Sequence, residues 1–80
     1  MTEENKPSQE VIVSTVNRLV ERRRMQLEEM WVMYQVHTNN KNKIDPANTQ
    51  DIAKADMVLN QLKKNYEGVE KEIEEMLGVL

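Results

Sequence analysis

The densest group of side chains that could bind an anion is a run of arginines in the first half of the chain. Residues 21–24 read Glu-Arg-Arg-Arg, and Arg18 lies one helical turn before Arg22. Guanidinium groups donate paired hydrogen bonds to phosphate and carboxylate oxygens, so this run could hold a phosphate or an acidic protein surface. Three consecutive arginines point in three directions on a helix, however, and such exposed charge more often forms a solvated, salt-bridged surface.

A chain folded into a hairpin would bring two lysines of the second half to the level of the arginine run. The sequence therefore predicts a basic belt, which comprises Arg18, Arg22, Arg23, Arg24, Lys63 and Lys64. Three features argue against binding of nucleic acid. The net charge is −3, the chain has no recognition motif, and its three aromatic residues are too few for base stacking. A salt-bridged surface or a protein-binding patch is favoured, and binding of nucleic acid or a nucleotide is the alternative.

Residues suited to catalysis or metal binding are sparse. His37 is the only histidine and the chain has no cysteine, so neither a catalytic triad nor a Cys- or His-rich metal site can be built. The acidic stretch at residues 67–75 lacks the loop of oxygen ligands that calcium requires, and it is expected to be a solvated face or an acidic docking surface. We expect no enzyme activity, no cofactor and no bound metal.

The elements that must position these side chains are two amphipathic helices. In the second half, apolar residues alternate at spacings of three and four, at Ile52, Ala55, Leu59, Leu62, Tyr66, Val69, Ile73, Met76 and Leu80. In the first half, the same spacing links Val13, Val16, Val20, Leu27, Met30 and Tyr34, with Arg23 in the place of one apolar member. An apolar period of 3.5 residues sustained this long is typical of a helix packed along a partner helix. We call each series the seam of its helix.

Arg23 is the most specific signal within the arginine run. A charge at a core position of a heptad sets register or oligomer order at some cost in stability. Its expected partner is Glu67 or Glu70 of the second helix, or an acidic group of another subunit. The functional alternative, an arginine that grips an anionic ligand inside a bundle, is disfavoured because neither seam contains a second cation.

Helix boundaries are predicted from capping residues and from one segment without apolar periodicity. Residues 1–7 are expected to form a flexible tail, and Ser8 is the expected N-cap of helix 1, at about 8–37. The Asn-rich segment that follows competes with helical backbone bonding, so residues 38–45 are the predicted loop.

The second helix is predicted to begin at an Asp-Pro pair. Asp45 reads as an N-cap, and Pro46 takes the first helical position, where its missing N–H costs nothing. Helix 2 is therefore expected at about 46–77, with Gly78 as a glycine C-cap.

Two helices of similar length joined by a short loop predict an all-α fold, an antiparallel, coiled-coil-like hairpin. Turning the chain at the centre of the predicted loop places Leu27 near Leu59. Gly68 would then either allow Val16 to approach closely or be a neutral surface glycine.

Several large apolar side chains do not fit into the hairpin's own interface. They would form an exposed patch larger than monomers usually carry, and a chain this short buries only about 60% of its unfolded surface by itself. We therefore expect a homo-oligomer, a dimer or higher, that forms a helical bundle. The predicted interface residues are Met30, Trp31, Met33, Tyr34, Val36, Met57 and Val58.

These features favour a small protein–protein interaction module, an adaptor, assembly chaperone or inhibitor that works as a homo-oligomer on a protein partner. The start of the chain resembles no signal peptide and no apolar run is long enough to span a bilayer, so a cytoplasmic protein without membrane contact is expected. The alternative is an anion or nucleic-acid binder that uses the basic belt.

Overall fold

The computed structural model describes residues 7–80, which form two α-helices and the turn between them. Helix α1 spans Gln9–Asn42 and helix α2 spans Thr49–Gly78. The two helices pack against each other as a hairpin, which confirms the predicted all-α, two-helix architecture. Within the described residues, neither helix has a stretch long and apolar enough to cross a membrane. The predicted tail, residues 1–7, lies outside the described residues apart from Pro7.

The start of α1 is the predicted one. The Oγ atom of Ser8 accepts a hydrogen bond from the backbone N–H of Val11 at 3.2 Å, which satisfies one of the free donors at the helix N-terminus. Glu10 in the first turn places negative charge where the helix dipole favours it. Ser8 is therefore the N-cap, as predicted.

The predicted end of α1 is wrong, because the helix continues through the Asn-rich segment to Asn42. The three-four spacing of the seam continues from Tyr34 to His37, Lys41 and Ile44, and all three side chains are half-buried. The Lys41 ammonium also pairs with the carboxylate of Asp56 in α2. The helix propensity of asparagine is at most about 0.7 kcal/mol per residue worse than that of alanine, so contacts along the seam override it.

The turn consequently lies later in the chain than the predicted loop at residues 38–45. Asp45 lies inside this turn, where its Oδ1 accepts a hydrogen bond from the N–H of Ala47 at 2.9 Å. This bond is characteristic of an Asx turn, in which a side chain replaces a backbone acceptor. Asp45 thus stabilises the turn and does not cap α2.

The N-cap of α2 is Asn48, and the predicted helix start at Pro46 is wrong. The Asn48 side chain accepts a hydrogen bond from the N–H of Asp51 at 3.3 Å, and its Nδ2 donates to Oδ2 of Asp51 at 2.7 Å. Asn and Asp are equally good N-caps. Sequence alone therefore did not decide between the two positions.

The packed core consists of seam residues. Val20 is the most buried side chain at 2% exposure, and it forms a cluster with Val69 and Ile73. Four half-buried side chains pack against this cluster, those of Val16, Leu27, Met30 and Met76. The hairpin is a rod of 69 × 17 × 16 Å, and since one helix is about 10–12 Å across, each helix has a single neighbour. Such a rod buries only a narrow stripe of each helix.

The register between the helices differs from the predicted one. Leu27 packs against the cluster that contains Val69 and Ile73, and it does not meet its predicted neighbour Leu59. Because the turn lies later in the chain, each residue of α1 faces a residue of α2 nearer the C-terminus than expected.

The two glycines have no special backbone role. A Cβ atom built on Gly68 would meet no heavy atom within 4 Å, so Gly68 is a surface glycine and Val16 makes no close approach to it. Gly78 is the last residue of α2, and the C-cap is Val79 in the right-handed conformation. No described glycine has a positive φ, so the predicted glycine C-cap is wrong.

Candidate protein-interaction surface

The structure divides the predicted basic belt. The Nε of Arg23 donates to Oε2 of Glu72 at 2.9 Å, so the arginine run lies beside the acidic end of α2. Lys63 instead lines a groove together with Trp31, toward the turn. Lys63 and Glu72 are nine residues apart on one helix, about 13 Å along its axis. The lysines and the arginines therefore do not share one level of the rod.

The other members of the belt are exposed on the surface. Arg18, Arg22 and Arg24 lie on α1, and Lys64 lies on the outer side of α2. Exposed single charges contribute little to binding unless several converge on one ligand. The register of the hairpin does not produce that convergence.

Arg23 has an acidic partner within its own chain, but the partner is neither Glu67 nor Glu70 as predicted. The partner is Glu72, and the side chains of Arg23 and Glu72 are 36% and 52% exposed. A pair this accessible to water is screened and stabilises the fold by at most about 1 kcal/mol. The Arg23 stem is half-buried in the seam while its guanidinium reaches the flank of α2.

A second ion pair between the helices, Lys41 with Asp56, was not predicted from the sequence. The signal for it was the continuation of the three-four spacing past Tyr34, which reaches Lys41. The pair lies close to the turn, whereas the Arg23–Glu72 pair lies toward the open end of the hairpin. The two pairs therefore fix the same register at two distant levels.

The predicted interface residues fall on more than one face of the rod. Met30 and Tyr34 are half-buried between the helices, so they belong largely to the hairpin itself. Five members of the set are exposed, from 42% for Val58 to 72% for Met57, and they are Trp31, Met33, Val36, Met57 and Val58.

Two flanks border the seam on opposite sides. Each heptad of a seam has two apolar positions. In an antiparallel pair of helices, the residues that directly follow the second position lie on one side of the seam. The residues that directly precede the first position lie on the other side. Trp31, Lys63 and Glu70 follow seam residues, and we call this side the Trp31 flank. Met33 and Val58 precede seam residues and define the Val58 flank. The other exposed members of the set belong to neither flank, so the single apolar patch expected from the sequence is split over several sides of the rod.

The Trp31 flank contains an open groove of about 280 Å³. Its apolar lining comes from Met30, Trp31, Tyr34, Leu62 and Tyr66, and its charged lining from Lys63, Glu67 and Glu70. The rings of Trp31 and Tyr34 are stacked, with centroids 6.1 Å apart and an angle of 7° between planes. Ligand pockets usually enclose about 300–1,000 Å³, so this open groove lies just below that range.

The groove combines aromatic side chains with charged side chains at its rim. An exposed tryptophan beside half-buried tyrosines is a combination of residue types that often contributes strongly to protein–protein affinity. Among the described residues, no three His, Asp or Glu side chains come together as a metal site. The apolar and charged side chains that line the groove offer packing and ion-pair contacts.

Comparison with protein-family models, with curated protein sequences and with solved structures finds no match to this chain. The arrangement of its side chains is consequently the basis for a functional proposal.

Proposed function

We propose that this chain is a protein–protein interaction module that self-associates into a helical bundle and serves a protein partner as an adaptor, assembly chaperone or inhibitor. One observation carries the proposal. Among the described residues, four apolar side chains are buried, whereas eleven large apolar side chains are at least 40% exposed. Four buried side chains make a small core, and domains of this size usually need a further source of stability such as oligomerisation.

The shape of the rod explains why the hairpin does not cover these residues by itself. With a cross-section of 17 × 16 Å, each helix touches one neighbour and leaves both flanks of its seam in water. A second hairpin laid along one flank gives every helix two neighbours, which is the arrangement of a four-helix bundle. Self-association would therefore bury apolar side chains beside the seam that a single hairpin leaves exposed.

Sedimentation equilibrium at micromolar concentration tests the proposal. We expect a mass at least twice the 9.4 kDa of one chain. Trp31→Ala should lower the thermal midpoint and make it more dependent on protein concentration, because stability that comes from association follows mass action. A well-folded monomer at micromolar concentration would contradict the proposal.

Salt dependence separates this function from anion binding. An interface held mainly by apolar packing keeps its affinity between about 50 and 200 mM salt, whereas a protein that binds backbone phosphates loses affinity steeply over that range. The separation of Lys63 from the arginine run along the rod also favours the interaction module over the anion-binding alternative.

A further inference from the structure

We infer that the groove on the Trp31 flank is occupied by a second copy of this chain, which lies antiparallel to the first around a two-fold axis at the level of Tyr66 and Glu67. This inference rests on the proposed self-association and names the surface and the direction by which it occurs. A two-fold interface uses the same patch on both copies, so every contact between two different residues occurs twice.

The register of the hairpin relates each level of α2 to a level of α1. Arg23 pairs with Glu72 and Lys41 pairs with Asp56, so residues at one level have numbers that sum to about 96. The level between Tyr66 and Glu67 on α2 therefore corresponds to the level between Glu29 and Met30 on α1. This level divides the rod into a turn half, residues 30–66, and a terminal half, residues 7–29 and 67–80.

The two halves carry opposite net charge. The turn half has five lysines against three aspartates, which gives +2. The terminal half has four arginines and one lysine against nine glutamates, which gives −4 before any terminal carboxylate. An antiparallel copy places the positive half of each rod over the negative half of the other. A parallel copy would place like charge on like charge, which costs association free energy.

Individual side chains on the groove show the same complementarity. Lys63 and Glu70 both line the groove, at equal distances in sequence on either side of the axis. Reversal of α2 about this axis brings Lys63 of each copy opposite Glu70 of the other. The groove therefore presents to a second copy two ion pairs that lie on either side of an aromatic centre.

Trp31 lies at the centre of the same surface. It is about 2 Å from the axis level along α1, so the Trp31 rings of two copies would meet near the axis. Residues that dominate binding energy lie near the centre of interfaces, where they are shielded from water. The stack on Tyr34 holds the ring in place before association, which reduces the entropy lost on binding.

The covered area is sufficient for a specific dimer. On each helix the shorter side of the axis is 12 or 13 residues long. Two antiparallel copies would therefore overlap over twice that length, about 37 Å at a rise of 1.5 Å per residue. With a rod width of 17 Å, the overlap covers about 630 Å² per copy, or about 1,250 Å² in total. Stable, specific interfaces begin at about this size.

Charge exchange tests the inference through the dissociation constant measured by sedimentation equilibrium. Lys63→Glu and Glu70→Lys should each weaken dimerisation about tenfold or more, because each creates two like-charge contacts per dimer. An equimolar mixture of the two variants should regain the wild-type affinity, since the carboxylate introduced at position 63 of one chain then faces the ammonium introduced at position 70 of the other. The double variant should also regain it by itself.

The matched control is Lys64→Glu, which makes the same charge change in the same half of the rod. Lys64 is exposed and does not line the groove, so this variant should dimerise like the wild type. Far-ultraviolet circular dichroism checks that every variant keeps its helix content. If a single variant fails to fold, the double variant still tests the pairing.

Two outcomes would overturn the inference, and they differ in what they leave standing. A wild-type dimer whose affinity is not restored in the mixture or in the double variant uses a parallel arrangement or the Val58 flank, and the proposed self-association remains valid. A wild-type chain that is monomeric at micromolar concentration overturns the inference and the proposed self-association together.

Discussion

Arg23 and Glu72 join the two helices through a hydrogen bond of 2.9 Å between Nε and Oε2, although they are 49 residues apart in the chain. Arg23 occupies a core position of the α1 seam, and Glu72 directly precedes the seam residue Ile73 of α2. The Arg23 guanidinium therefore extends from the seam toward the Val58 flank. The charged residue that interrupts the apolar heptad of α1 thus forms a contact across the hairpin.

Replacement of Arg23 by leucine should leave the unfolding free energy unchanged or raise it. The exposed ion pair stabilises the fold by at most about 1 kcal/mol, and leucine at the same position would extend the apolar seam. The same change should broaden the distribution of oligomeric states, because the charge no longer restricts the register. Urea unfolding and sedimentation velocity measure the two effects.

The control for this prediction is Arg22→Leu, which removes a charge from the exposed surface of the same helix. It should not increase stability. A loss of more than about 1 kcal/mol for Arg23→Leu would show that the pair does more than an accessible salt bridge usually does.

Val20→Ala should be the most damaging single truncation of a valine in α1. Val20 is 2% exposed at the centre of the core cluster, and loss of its two methyl groups removes buried surface and leaves a cavity. We expect the unfolding free energy to fall by about 1.5–3 kcal/mol, measured at fixed protein concentration because association contributes to stability.

Val11→Ala is the matched control for Val20→Ala. Val11 lies on the same helix at 52% exposure, so the same chemical change should alter stability by less than about 0.5 kcal/mol. Equal losses for the two variants would mean that Val20 does not lie in the core.

The seams and the hairpin could be predicted from the sequence because they depend on the spacing of apolar residues. The four side chains buried within residues 7–80, Val20, Leu59, Val69 and Ile73, all belong to the predicted seams. The predicted end of α1 is wrong because it follows from the low intrinsic helix propensity of asparagine alone. The same heptad spacing that identified the seam continues through them to Lys41, and packing along that seam decided the structure.

Asn39→Pro tests the corrected end of α1. In a loop, proline at this exposed position would have little effect, but inside a helix it removes a backbone hydrogen bond and clashes with the preceding turn. We expect a loss of about 3 kcal/mol in the unfolding free energy, as measured by urea titration. Asn39→Ala, the control, should be neutral or stabilising by about 0.5 kcal/mol because alanine favours the helix. An unchanged unfolding free energy for Asn39→Pro would contradict the end at Asn42 and support the predicted end at about residue 37.

Gly68→Ala should stabilise the hairpin by about 0.5–1 kcal/mol. Gly68 is in the interior of α2, a Cβ atom there meets nothing within 4 Å, and alanine has less backbone freedom to lose on folding. The matched change Gly78→Ala lies at the last residue of the helix, where a smaller gain is expected because helix ends fray. A destabilised Gly68→Ala variant would indicate a neighbour, such as another subunit, against this face.

The candidate surface was only partly predictable, because its members depend on the register. Trp31, Met33 and Val58 were identified as apolar residues off the seam, but their division between two flanks follows from their positions relative to the seam residues. The basic belt required Lys63 to lie beside Arg23, and a turn displaced along the chain separates them. Errors in the position of one turn therefore become errors in every contact between the helices.

The orientation of the proposed dimer can be measured with one spin label per chain. The sequence contains no cysteine, so Ala47→Cys in the turn provides a single labelling site. In the antiparallel dimer the two turns lie at opposite ends. Helix α2 begins about 17.5 residues from the axis level, which corresponds to about 26 Å on each side and about 52 Å between the labels along the rod. In a parallel dimer both turns lie at the same end, within about 20 Å, since neighbouring helices are about 10 Å apart.

Pulsed electron–electron double resonance measures distances in both ranges. Dilution with unlabelled chains identifies the dipolar signal that arises between two copies, because that signal weakens on dilution. A label at Gly68→Cys serves as the control, because this residue lies within about 3 Å of the axis level and should give a short distance in either orientation. A short distance at residue 47 together with a short distance at residue 68 would exclude the antiparallel arrangement. A long distance at residue 47 alone would establish it, because only reversal of the rod separates the turns while it keeps the axis residues together.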